Sequence, residues 1–376
     1  LGYLIGNYYG GRDGGFTGLI FALLIWGIMS IVSYFGGDSI ILSMSQAKLV
    51  THDVHPQLFN VVEEMKIAAG LPKMPKIYII PDPAPNAFAV GRSPENAAIA
   101  VTAGLLATLN RDELQGVIAH ETSHILNRDV LFMTFSGVLL GSIVILSNFF
   151  LRSLWFGGGN KRSSSNKGGG QLQMILMLIA LVMAILAPMM ARLLYFAISR
   201  KREYLADASA ARLTRYPEGL ASALEKISNS IYDLQTANKA TAALYIANPL
   251  KQKGHKLSDL TSTHPPIHER IAILRKMASN ANYFAYQNAY STIKGNRGRT
   301  NIIPASEIHK NENIPLRQAS GESTKNVRDL GDLMKKVNNF TFVTCACGMK
   351  FKVPPDFKED KFTCPRCGRI NYIPKK

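Results

Sequence analysis

The chain has 376 residues, room for two or three domains, and its 47% hydrophobic content with only 18% charged residues leans toward a membrane protein. The formal net charge of +17 calls for an anionic partner, and 17 Lys and Arg against 8 Asp and Glu in residues 291–376 put more than half of the excess in the tail. Membrane lipids satisfy that charge more simply than nucleic acid, so no nucleic acid partner is expected; four cysteines confined to the last 32 residues exclude a fold-wide disulfide framework.

Residues 1–37 read as an N-terminal membrane region. Gly14 to Gly37 carries no charge, with FTGLIFALLIWGIMSIVSYF at its centre, and exceeds the ~20 residues that cross a hydrocarbon core as a helix. The span proper is placed at about 16–36. It is too long for a signal peptide and no cleavage-like site follows, so it reads as an anchor, and the opening LGYLIG reads as the end of a further span.

Residues 38–129 look soluble. HPQLFNVVEEMKIAAG, His55 to Gly70, has helical apolar spacing and ends on Gly. KIYIIP and AAIAV read as strands, with Asn86 to Gly91 between them as a third. Asn110 with Glu113 three residues on is a capping signature, which opens a helix through Leu114, Val117 and Ile118.

Two more uncharged windows, Val130 to Leu151 and Gly168 to Ala191, predict a transmembrane hairpin over 130–198, with a Gly and Ser loop between them and a bend at Pro188. Arg200, Lys201 and Arg202 read as the collar that ends it at the lipid surface. Helical patterns return over 199–290, a polar linker follows over 291–337, and a small cysteine module occupies 338–376.

The chemistry starts from VIAHETSHILNRD, which holds His120, Glu121 and His124 as HExxH. Four residues apart on a helix, both imidazoles share a face and can reach one metal ion; Glu121, one step round, can take a proton from the attacking water. The pattern is short and also occurs by chance on surface helices. A catalytic zinc takes a third protein ligand. The first acidic residue after Asp129 is Glu203, and two intervening spans return the chain to the same side of the membrane. Asp207, four residues after Glu203, can orient a ligating histidine. Asp129 is a second such candidate, or a polar stop before the span.

The helix, HETSH, the hydrophobic hairpin and SRKREYLAD together resemble the HtpX family of membrane zinc endopeptidases, relatives of the CAAX prenyl proteases. PNAFAVG, VTAGLL and STHPPIHERI extend the likeness over roughly 38–276. The resemblance implies that His120, His124 and Glu203 bind Zn2+, that Glu121 is the general base, and that protein quality control is the role. It also places His264 and Arg270 near the active site, in substrate binding or at the oxyanion. Thr122 and Ser123 stand where the family commonly has Leu and Gly or Ser; neither is a ligand position. Asn86, Ala87, Phe88 and Ala89 can supply a strand edge to which an extended substrate adds, or form an internal hairpin strand. His52, His55, His255, His268 and His309 read as solvated.

TCACGMKF and TCPRCGRI place Cys345, Cys347, Cys364 and Cys367 as CxC and CxxC, sixteen residues apart. Four thiolates at this spacing predict a structural zinc in a ribbon-like module that docks proteins or senses substrates; two disulfides or a redox CxxC are the other readings.

The expected fold is therefore mainly α with a small β-sheet: a polytopic membrane protein with a zincin-like HExxH domain split by a transmembrane hairpin, plus a zinc-ribbon-like C-terminal module. The expected function is a zinc endopeptidase acting on membrane or unfolded proteins, in a cell membrane. A prenyl-protein protease would need a chamber built from more spans, and a catalytically silent zinc-binding scaffold is the reading outside enzymes. Arg128 and the collar favour a cytoplasmic catalytic face, whereas Arg152, Lys161, Arg162 and Lys167 in the loop argue the other way.

Overall fold

The computed structural model describes residues 2–133, 200–236, 244–247, 264–277, 280–295, 301–309, 312–321, 327–357 and 359–374, with isolated helical positions between 143 and 190. Most of the expected hairpin, its loop and His255 lie outside the described residues.

α1 (Gly2–Met44) carries the N-terminal apolar window. Its Gly14–Met44 part is long and apolar enough to cross a membrane by length and composition, and only 6% of its most apolar window is buried. A core helix would be covered, whereas this one is bare as a lipid-facing helix is. The helix continues beyond the expected end at 36, where Leu42 is buried, and Ser45 just past its end is buried as well. Ahead of Gly14 it turns back: the Tyr3 and Phe16 rings lie 5.6 Å apart, where straight helix would separate them by about 20 Å.

The three expected strands form, joined by a fourth. β1 (Lys48–Leu49), β2 (Lys76–Ile80), β3 (Ala87–Ser93) and β4 (Asn96–Thr102) make one sheet in the order β1-β2-β4-β3, with β2 and β4 parallel and the outer pairs antiparallel. β3 is thus an edge strand. The tight turn into β4 requires Gly91, at φ 140°, because a Cβ there would meet the Asn96 carbonyl oxygen at 2.3 Å.

Thr102 ends β4 and caps α3 (Ala103–Thr108), its hydroxyl accepting the Leu105 N–H at 3.1 Å. Asn110 then starts α4 (Arg111–Leu126) through a reciprocal capping box with Glu113, both bonds 2.9 Å. α2 (Pro56–Ala68) lies along α4; its cap is His55, whose Nδ1 accepts the Leu58 N–H at 3.1 Å, so His55 is a structural cap and not the solvated histidine expected.

The helical residues 200–214 form α5, followed by α6 (Pro217–Ser228), α7 (Ile267–Lys276) and α8 (Tyr283–Lys294). α4 is wrapped by α2, β3 and α6, which explains why it is buried nearly all round instead of showing one apolar stripe. Gly116 lets α4 and α6 touch through their backbones: a Cβ there would stand 2.6 Å from the Leu220 nitrogen.

The stretch 291–337, expected as a polar linker, makes contacts with the core at several of its described positions. Ile303 is fully buried, the Ala281 N–H donates to the Ile314 carbonyl at 2.9 Å, and the Arg317 guanidinium pairs with Asp112 at 2.8 Å and Gln115 at 2.6 Å. α9 (Val327–Val337) buries Leu333 and Val337 against α3. Residues 312–321, a strap over α4, are held mainly by hydrogen bonds and ion pairs and so leave no apolar periodicity to read, whereas α9 packs by its apolar stripe.

The cysteine module consists of two hairpins, β5 (Thr341–Thr344) with β6 (Lys350–Val353) and β7 (Lys361–Thr363) with β8 (Ile370–Tyr372). Each carries one cysteine pair at its turn. Gly348 and Gly368, at φ 82° and 70°, close the two turns with N–H bonds back to Cys345 and Cys364.

Candidate active site

α4 projects His120 and His124 from one face, and α5 brings Glu203 against them. The His120 and His124 Nε2 atoms are 3.1 Å apart, His124 Nε2 lies 3.4 Å from Glu203 Oε1, and His120 Nε2 lies 3.7 Å from Glu203 Oε2. Ligands about 2.05 Å from a shared zinc ion stand about 3.3 Å apart at tetrahedral angles, so the two Nε2 atoms and the Glu203 carboxylate fit the ion. The residues carried by the HExxH pattern and the collar therefore meet as the sequence indicated.

Each histidine is held from behind by a carboxylate. Asp207 contacts His120 Nδ1 at 2.9 Å and Asp129 contacts His124 Nδ1 at 2.9 Å, which turns both Nε2 atoms toward the ligand cluster. Asp129 can do this because Arg128, just past α4, adopts φ 56° and swings the chain back under His124. Asp207 is gripped in turn by Arg270 through Nε at 2.8 Å and Nη2 at 2.7 Å.

Burial would push the His120 imidazolium down, but hydrogen bonds to Asp207 and Glu203 outweigh it and raise its pKa. Burial likewise opposes the charged form of Glu203, yet the His264 charge and hydrogen bonds with His120 and His124 hold it well below the usual carboxylate range. For Asp207 the Arg270 guanidinium overcomes the same penalty. Glu121 differs: burial dominates and raises its pKa, and its Oε1 makes no hydrogen bond among the described residues. A desolvated carboxylate beside His120 and His124, on a residue that lines a cleft, is suited to accept a proton. The cleft is lined by Ala89, Glu121, His124, Asp129, Glu203 and Leu244.

His264 and Arg270 both arrive at the site. His264 Nδ1 lies 3.0 Å from Glu203 Oε2. Arg270 is fully buried behind the ligands, spends its guanidinium on Asp207 and the Ile246 carbonyl, and comes within 3.4 Å of Glu203. Of the four residues expected at a substrate strand, Ala89 lines the cleft; Asn86 and Ala87 bond to residues 246 and 247, and Phe88 is buried in the core. The sequence reading missed Arg202, taken as lipid collar, which pairs with Asp129 and lies over the Phe132 ring at 4.1 Å. Its position directly before Glu203 was the available signal.

A second cluster forms in the cysteine module. Cys345 and Cys367 sulfurs are 3.5 Å apart and Cys347 and Cys364 sulfurs 3.7 Å. Thiolates about 2.3 Å from zinc stand about 3.8 Å apart, whereas a disulfide would need about 2.05 Å. All four cysteines are free, and the spacing fits the ion.

Comparison with known proteins agrees with this chemistry. The model of peptidase family M48 matches residues 53–278, ending before the cysteine module. Proteins described as protease HtpX homologues are 49% identical in Dictyoglomus turgidum, over 73% of this chain and 86% of that protein, and 47% identical in Pyrococcus furiosus, over 74% and 90%. One from Streptococcus pyogenes is 48% identical over 73% and 90%. Among solved structures, Ste24p of S. mikatae is matched at 21% identity and a TM-score of 0.44, over 68% of this chain and 58% of that one. A family match across more than half of the sequence, and near one-half identity along most of each relative, lead to one assignment: the chain belongs to peptidase family M48.

Proposed function

We infer that the protein is a membrane-embedded zinc endopeptidase that hydrolyses peptide bonds of protein substrates. The observation that carries this is the tetrahedral spacing of His120, His124 and Glu203 with the buried, unbonded Glu121 oxygen beside them. Zinc, when bound there, supplies Lewis-acid polarisation and makes water a nucleophile at neutral pH.

The residues divide the remaining work. Glu121 accepts the proton of the attacking water at Oε1 and passes it to the departing amine nitrogen. His264, at the rim of Glu203, donates to the oxygen that gains charge as the carbonyl becomes tetrahedral. Arg270 acts through Asp207, which it fixes against His120. Ala89, which lines the cleft, contacts the backbone of an extended substrate, a mode that reads extension more than side chains and suits unfolded chains and protein quality control. The cysteine module holds a second, structural zinc, and four protein ligands leave that ion no open position. The collar charges favour a cytoplasmic catalytic face on a multi-pass protein.

The test is hydrolysis of an unfolded protein by zinc-loaded wild type and Glu121→Gln. The reading requires near-complete loss of rate in the variant at unchanged zinc content. Equal rates would refute it.

A further inference from the structure

Both sequence neighbours of Glu203 are tied to other elements. Arg202, before it, pairs with Asp129 just past α4, and Tyr204, after it, donates its hydroxyl to Glu269 Oε2 on α7 at 2.9 Å. Tyr204 is buried, edge-on to Tyr290 of α8 at 5.0 Å, and Lys294 of α8 donates to the same Glu269 oxygen at 2.5 Å. Three helices, α5, α7 and α8, thus meet at one carboxylate. None of Tyr204, Glu269 and Lys294 lines the cleft.

Helix register shows what this cluster can do. Tyr204 and Asp207 are three residues apart and share a face of α5, while their partners Glu269 and Arg270 are consecutive near the start of α7. α7 therefore grips α5 at two points about one turn apart. A single contact would let α5 roll about it, whereas two fix roll and tilt together. Side chains reach about 5–6 Å from a helix axis, so a roll of about 10° would carry the Glu203 carboxylate about 1 Å. Zinc ligands hold their distances within about 0.2 Å. Of the two grips, the one at Tyr204 stands next to the ligand.

We propose that Glu269 is a positioning residue for the catalytic zinc: by holding the Tyr204 hydroxyl it sets the roll of α5, and so the place of the Glu203 carboxylate against His120 and His124. This rests on the reading of Glu203 as a zinc ligand. Lys294 balances the Glu269 charge from the far side, so the half-buried carboxylate stays ionised and accepts from Tyr204.

The experiment measures zinc affinity of the full-length protein by competition with a chromogenic chelator, with the cysteine-bound ion as internal reference. Tyr204→Phe keeps the ring on Tyr290 and removes only the hydroxyl. Tyr204→Phe and Glu269→Ala are each expected to weaken the catalytic ion about 3- to 10-fold, less than the 10- to 100-fold that follows loss of a direct partner of a ligand. The cysteine ion should be unaffected. Because the two residues act through one bond, the double variant should be no weaker than Glu269→Ala alone. Glu269→Gln retains an acceptor oxygen and should stay within about twofold of wild type. Wild-type affinity in both Tyr204→Phe and Glu269→Ala overturns the proposal. So does a loss shared equally by both ions together with a lower unfolding temperature of the zinc-free protein, which would mark general loosening of the fold. Glu203→Ala, measured alongside, separates the proposal from the reading beneath it. If Glu203→Ala keeps both ions, the ligand reading falls and the clamp with it; if it loses the catalytic ion while Glu269→Ala binds as wild type does, the clamp alone falls.

Discussion

Arg202 pairs with Asp129, and Asp129 uses its other oxygen to hold His124 Nδ1 at 2.9 Å. Arg202 stands directly before Glu203 on α5, and Asp129 follows α4, so the pair ties together the two ends between which the expected hairpin runs. Ligand and brace come from the same helix start. Loss of such a partner commonly lowers metal affinity about 10- to 100-fold. Asp129→Asn is expected to fall in that range and Arg202→Ala to show a smaller drop, measured by zinc competition with a chromogenic chelator.

Arg270 and Asp207 are both fully buried and doubly bonded, at 2.7 and 2.8 Å. Removing one member strands the other charge inside the protein. Arg270→Met is therefore expected to cost about 3–5 kcal/mol of stability, seen as a large fall in unfolding temperature even before zinc is considered. An Arg270 that served only the reaction would lower kcat and leave the unfolding temperature unchanged.

Gly116 marks the closest approach of α4 to α6. A methyl group there would meet the Leu220 nitrogen at 2.6 Å and its Cα at 2.8 Å, and backbone cannot swing aside as a side chain can. Gly116→Ala should destabilise the protein by about 1–3 kcal/mol. Because the displaced helix carries His120 and His124, zinc affinity measured in the same variant should fall with it.

The strap over α4 should respond to acid. Burial alone would raise the Asp112 carboxyl, but the Ser320 backbone N–H, the Arg317 guanidinium and the Ser320 hydroxyl hold it below its ordinary value of 3.8. A carboxylate depressed in the folded state stabilises it above the unfolded pKa, and that stabilisation is lost as pH falls through the folded value. The contact is thus complete at neutral pH and lost below about pH 4. Hydrogen–deuterium exchange of residues 312–321 should show protection collapsing in that window. In Asp112→Asn protection should be weak at neutral pH and nearly flat with acid.

What could be read beforehand was what lies close along the chain. HExxH and the ExxxD pair are one helical turn each, the Asn110–Glu113 capping box spans three residues, and the apolar strands announce themselves by composition. The pairings that complete the site bridge long gaps. Arg202 lies 73 residues from Asp129, and Arg270 lies 63 from Asp207. Each of these residues has a satisfactory local explanation, as lipid collar, helix stop or loop charge, and nothing local chooses between that and a distant partner. The same holds for Leu244 to Ala247, four apolar residues with no strand period, and for the strap at 312–321, whose polar composition matched a linker because its contacts are polar.

The central claim is that Glu203, across the expected hairpin from HExxH, completes a catalytic zinc site separate from the cysteine site. Zinc counting on purified protein addresses it most directly. Wild type is predicted to hold two zinc ions per chain, and Glu203→Ala to hold one, bound by the cysteines, with hydrolysis lost. A Glu203→Ala protein that retained both ions and cleaved at the wild-type rate would contradict the account.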